Sequence, residues 1–127
     1  MSDSTTTRAA PPPVGHYPHA RRVGGLLFLS GLGPRSADGG TIPREFEAQC
    51  RAVFANVRSV VEAAGSGWDR LVDVTVFLID IPQDFATFNR LWAEYFPTDP
   101  PCRTTVEVTR LPTPIAIELK CVATVED

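Results

Sequence analysis

The chain has 127 residues, 43% of them hydrophobic and 21% charged, with a formal net charge of −3. That length suits one domain with room for a core, and the composition is globular and not disordered. The charge excludes a broad basic surface for nucleic acid, and the longest apolar runs, such as Val23–Gly33, are too short to span a bilayer.

Residues Met1–Pro13 are polar and then proline-rich (Pro11, Pro12, Pro13), with no apolar leader. They read as a flexible arm ahead of a single domain over residues 14–127. Tyr17–Ser30 reads as a hairpin: His19–Val23 and Leu26–Ser30 flank Gly24-Gly25, a pair able to supply positive φ in a two-residue turn. Glycines and prolines from Gly31 to Gly40 leave space for at most one short strand.

A helix is expected from about Pro43, because Phe46, Cys50, Val53, Phe54, Val57, Val60, Val61 and Ala64 form one apolar stripe. Pro43 suits its first turn and Gly65 its C-terminal end. Leu71–Ile79 is nearly all apolar and predicts a central strand covered on both faces. A second helix carries Phe85, Phe88, Leu91, Trp92, Tyr95 and Phe96 on one stripe, with Asp84 a candidate N-cap and Pro97 its end. Strands Thr104–Val108 and Ile115–Val125 close the chain. In the last one Ile117, Leu119, Cys121 and Ala123 alternate with Glu118 and Lys120.

The order β-β-(β)-α-β-α-β-β predicts an α+β fold, a mixed sheet with two helices packed on one face. The other face, carrying Glu118 and Lys120, would need subunits packed against it, so a homo-oligomer is expected. Cys50, Cys102 and Cys121 are odd in number and far apart, which points to a reducing, cytoplasmic setting without a disulfide framework. His16 and His19 have no further ligands at metal-binding spacing, so neither metal nor cofactor is expected.

Three groups suggest chemistry. Arg103 opens a strand, Glu118 sits mid-strand where an isolated charge is expensive, and Ser30-Gly31 ends the hairpin where a ligand can approach backbone. A guanidinium suits a carboxylate, and a carboxylate can deprotonate water. A strand Glu near an Arg is, however, more often a structural or interface ion pair than a catalytic one. Residue types alone leave both readings open.

The run Cys102-Arg103-Thr104-Thr105-Val106-Glu107-Val108, then Leu111-Pro112 and Ile117-Glu118, resembles the C-terminal signature of the Rid family, formerly YjgF. Gly15-His16-Tyr17, Leu29-Ser30-Gly31 and Phe85-Ala86-Thr87-Phe88-Asn89 match further family segments. The resemblance implies a chorismate-mutase-like fold and a homotrimer with active sites between subunits. It also implies cofactor-free hydrolysis of enamines and imines of 2-oxo acids to ammonia. By position Arg103 would clamp the substrate carboxylate and Glu118 would place the water. Tyr17, Ser30, Gly31, Asn89 and Thr105 would line the pocket, Thr105 standing where the family often has Cys. The stretches from Pro18 to Gly24 and Arg103 to Val106 are similar to the branch of 2-aminomuconate deaminases. A dicarboxylic substrate would need a second cation, which His19, Arg35 or Arg110 would supply. A non-catalytic ligand-binding or stress-related module is the alternative. RNA cleavage is disfavoured by the acidic balance.

Overall fold

The computed structural model describes residues 3–126, and its hairpin turns where the glycine pair requires it. Strands β2 (Ala20–Val23) and β3 (Leu26–Leu29) pair antiparallel with Val23 opposite Leu26. Gly24 alone of the two turn glycines has positive φ, +59°, as the first position of a type II′ turn needs. Four further strands complete one mixed sheet: β1 (Ser4–Thr5), β4 (Leu71–Leu78), β5 (Cys102–Glu107) and β6 (Ile117–Thr124). Their order across it is β1-β2-β3-β6-β4-β5. Among the described residues the optional strand after the hairpin is reduced to a single bridge, Leu32 to Leu119.

Helices α1 (Phe46–Ala63) and α2 (Ile81–Tyr95) cover one face. Val74, Val76 and Leu78 of β4, with Ile117, Leu119, Cys121 and Ala123 of β6, are buried on that face with the α1 stripe. Strand β4 is interior but not covered on both faces, contrary to expectation. Its outward residues Thr75 and Phe77 are only half-buried, while Val72 and Asp73 are exposed where a bulge breaks the register with β6. Strands β4 and β5 run parallel, so a crossover must join them, and α2 is that crossover.

Both helix starts differ from expectation. Pro43 lies outside α1, and its carbonyl accepts the side-chain N–H of Gln49 at 2.9 Å. The cap of α2 is Asp80, whose carboxylate accepts the Gln83 N–H at 3.1 Å, with Pro82 tolerated in the first turn. Asp84 is a turn further in and buried, and burial pushes its carboxyl up. At the other end of α1 the expectation holds: Gly65 takes φ +85°, and the bonds Ser66 N–H to Val61 O and Gly65 N–H to Glu62 O form a Schellman motif.

The arm expected to be flexible is laid against the domain from Ser4 onward. Thr5 pairs with Ala20, Ala10 is buried, and Thr7 and Pro11 both bond to the His19 ring. Residues 1 and 2 of that arm lie outside the described residues.

Candidate active site

Glu118 sits in the middle of β6 opposite Phe77 of β4, so its side chain leaves the sheet on the face away from the helices. Gly31 comes up beside it. A Cβ on Gly31 would lie 2.5 Å from Glu118 Oε2, so any larger residue there would push the carboxyl from this position. The carboxyl projects into a pocket of about 140 Å³, lined also by Tyr17, Ser30, Gly31, Arg35 and the Pro11–Pro13 stretch. Burial pushes the Glu118 carboxyl above its usual range, and no cation pairs with it among the described residues. The Ser30 hydroxyl is held by the Pro18 carbonyl at 2.7 Å, which fixes the wall next to Gly31.

Arg103 occupies the opposite face. It is in register with buried Val74, and its guanidinium lies 5.1 to 5.8 Å from the ring centres of Trp92, Phe88 and Phe85 on α2. Asn89 Oδ1 accepts its Nη2–H at 2.7 Å. Burial lowers the guanidinium's proton affinity, but an Arg stays charged, so this is a partly desolvated cation backed by aromatic faces. Thr105, two residues along and therefore on the same face, has a buried hydroxyl oxygen without a hydrogen-bond partner among the described residues.

The predicted residues thus divide into two groups. Tyr17, Ser30, Gly31 and Glu118 gather on the outer face, whereas Arg103, Asn89 and Thr105 gather on the helix side, with β4 standing between β5 and β6. Within one chain Arg103 and Glu118 do not form the ion pair that residue types left open. Of the three candidate second cations, His19 and Arg35 both line the Glu118 pocket, and the Arg35 guanidinium is paired with no carboxylate among the described residues. His19 is 2% exposed with both ring nitrogens bonded to backbone, so it is a structural residue and not a substrate contact. Arg110 lines a separate depression with Gln49 and Ile79. Sequence reasoning missed two parts of the site. Phe88 is core and Phe85 and Trp92 pack against it, as their stripe predicts, but the same rings also back Arg103, which the stripe does not reveal; and the three prolines read as part of a loose arm. Among the described residues no three His, Cys, Asp or Glu side chains come together as a metal-holding group.

The fold is a small α+β protein, a mixed sheet with two helices on one face, and it carries a carboxyl and a guanidinium on its opposite sides that no opposite charge pairs among the described residues; solved structures of the YjgF class share that fold. RidA from the Antarctic bacterium Psychrobacter superposes with a TM-score of 0.91 at 30% identity, over 96% of this chain and 98% of that one. The family model described as Endoribonuclease L-PSP matches residues 7–125. A RutC family protein of Pyrococcus horikoshii is 38% identical over 97% of this chain and 98% of its own. The 2-iminobutanoate/2-iminopropanoate deaminase of Escherichia coli is 36% identical, again over 97% and 98%. The chain belongs to the Rid (YjgF) family.

Proposed function

We propose that the protein is a hydrolytic deaminase of 2-imino acids and their enamine tautomers, working in the cytoplasm as a homotrimer with its active sites between copies. The observation that carries this reading is the placement of Arg103 and Glu118 on opposite faces of one sheet, each without a counter-charge among the described residues. One small ligand touches both only if it lies between two copies, a head-to-tail contact that forms a ring of three when each copy is rotated by a third of a turn from the last. The imine-deaminase name carried by the Escherichia coli relative supports the substrate class.

In this mechanism Arg103, steadied by Asn89, holds the substrate carboxylate with parallel N–H bonds. Glu118 of the adjoining copy takes a proton from water as the water oxygen bonds to the imine carbon and the C=N π pair moves to nitrogen. Glu118 then returns that proton to nitrogen. Glu118 next takes the proton of the carbinolamine hydroxyl and passes it to the amine; the oxygen pair forms C=O as the C–N bond breaks, so ammonia leaves and a 2-oxo acid remains. A carboxyl that burial makes easier to protonate suits a group that both takes and returns a proton. Tyr17, Ser30 and Gly31 line the Glu118 side of the site, and Thr105 lines the Arg103 side.

The test is ammonia release from enzymatically generated 2-aminoacrylate and 2-iminobutanoate. Arg103→Ala should mainly raise KM, by about 10- to 150-fold for a lost charge-assisted contact. Glu118→Gln should lower kcat by ~10²-fold with little change in KM. Co-refolding the two variants in equal amounts should restore about one quarter of the sites, those pairing an intact Arg103 with an intact Glu118 of the next copy. Unimpaired turnover by folded Arg103→Ala, or no recovery on mixing, would overturn the reading. A non-catalytic module would bind 2-oxo acids and release no ammonia. The narrower substrate reading is 2-aminomuconate, with Arg35 meeting its second carboxylate. A kcat/KM for 2-aminomuconate no higher than for 2-aminoacrylate would remove it.

A further inference from the structure

We propose that Pro11, Pro12 and Pro13 form a rigid wall of the Glu118 pocket that selects substrates by the size of their side chain, and that His19 and Arg35 are the positioning residues that hold it. The inference rests on the deaminase reading for its substrates but not for its geometry.

The argument begins with what proline lacks. A run of three prolines has no backbone N–H to donate, so it cannot join a sheet by its own donors, and its carbonyls must find donors elsewhere. Two side chains supply them. The His19 ring meets the Pro11 carbonyl through Nε2 at 2.7 Å, and Arg35 Nη2 donates to the Pro12 carbonyl at 2.9 Å. His19 Nδ1 accepts the Thr7 N–H at 3.1 Å, so the ring hydrogen sits on Nε2, the atom facing Pro11. Pairing of Thr5 with Ala20 anchors the segment upstream. Fixed φ makes such a run stiff and extended, which gives it the rigidity of a wall where most loops would yield.

The wall faces the Glu118 carboxyl across about 140 Å³. That volume is one copy's share of the site, since Arg103 reaches the ligand from the adjoining copy, and within it the fixed proline rings limit how bulky a side chain can lie beside Glu118. Against a rigid surface each surplus methylene is worth about tenfold or more in selectivity.

The experiment compares kcat/KM for the imines of 2-aminobutyrate, leucine and phenylalanine. Wild type should favour the first by at least about tenfold per surplus methylene. His19→Asn keeps an acceptor near Thr7 but withdraws the donor from Pro11, so the preference should shrink about tenfold. His19→Gln places an amide N–H near Pro11 and should keep more of it. Replacing Pro11, Pro12 and Pro13 by Gly-Ser-Gly should also relax it. Amide exchange over residues 3–10 reports whether the wall has loosened. Faster exchange with an unchanged preference would overturn the proposal, because merely structural prolines would give that result. On unmodified protein, titration of 2-oxobutanoate and 4-methyl-2-oxopentanoate reads the wall without turnover or substitution. The former should bind at least about tenfold tighter, and equal affinities would refute the wall whether or not any imine is hydrolysed.

Discussion

Glu118 is held in its strand at a cost in stability, and that cost has a pH signature. The folded carboxyl keeps its proton to higher pH than the ordinary glutamate value of 4.5, because burial disfavours its charge. Between that value and the raised one the native state therefore binds more protons than the unfolded chain. Stability must fall as pH rises through this window, and the full penalty persists above it. Glu118→Gln carries no such penalty. The variant should melt a few degrees above wild type near neutral pH, and the two should converge below about pH 4. A Glu118→Gln variant that melts below wild type throughout would show that the carboxylate stabilises the fold. The residue itself was legible from its isolation in an apolar strand. The Gly31 backbone beside it was legible only as a turn glycine, because the close approach joins residues 87 positions apart in sequence.

At the scale of elements, the start of α2 distinguishes two aspartates that look alike in sequence. Asp80 and Asp84 both precede the aromatic stripe, and Pro82 between them reads as a breaker. Proline lacks only a donor that the first helical turn leaves unused, so the helix begins before it and Asp80 becomes the cap. Asp80→Ala should lower stability by about 1 kcal/mol, read as a fall in urea midpoint at constant slope. An unchanged midpoint would mean that the Asp80–Gln83 bond contributes nothing in solution. The apolar period of α1 and the alternation of β6 were legible because one face of each is buried by the chain itself. The double coverage expected of β4 was inferred from a continuous apolar run, and a run of that kind records burial without saying whose atoms provide it.

For the whole molecule, the outer face of the sheet is the surface on which the proposed assembly is tested. Leu26 and Phe28 of β3 and Val72 at the edge of β4 are 41%, 39% and 39% exposed, a concentration of apolar surface unusual for a chain that stays alone in water. Phe28→Asp should leave the far-ultraviolet spectrum intact and convert a species of about 41 kDa, three times 13.8 kDa, into one of 13.8 kDa by sedimentation, with activity lost. An unchanged mass would place the contact elsewhere. The sequence by itself determined the two helices, the hairpin, the α+β class and the family, because each rests on local periodicity, turn chemistry or a contiguous motif. Only the tertiary structure decided that Arg103 and Glu118 face away from each other, because that follows from strand order β6-β4-β5 and side-chain parity, which no local pattern encodes. It likewise turned a proline-rich arm into a wall, because the donors that hold those carbonyls, His19 and Arg35, lie 8 and 23 residues further along the chain.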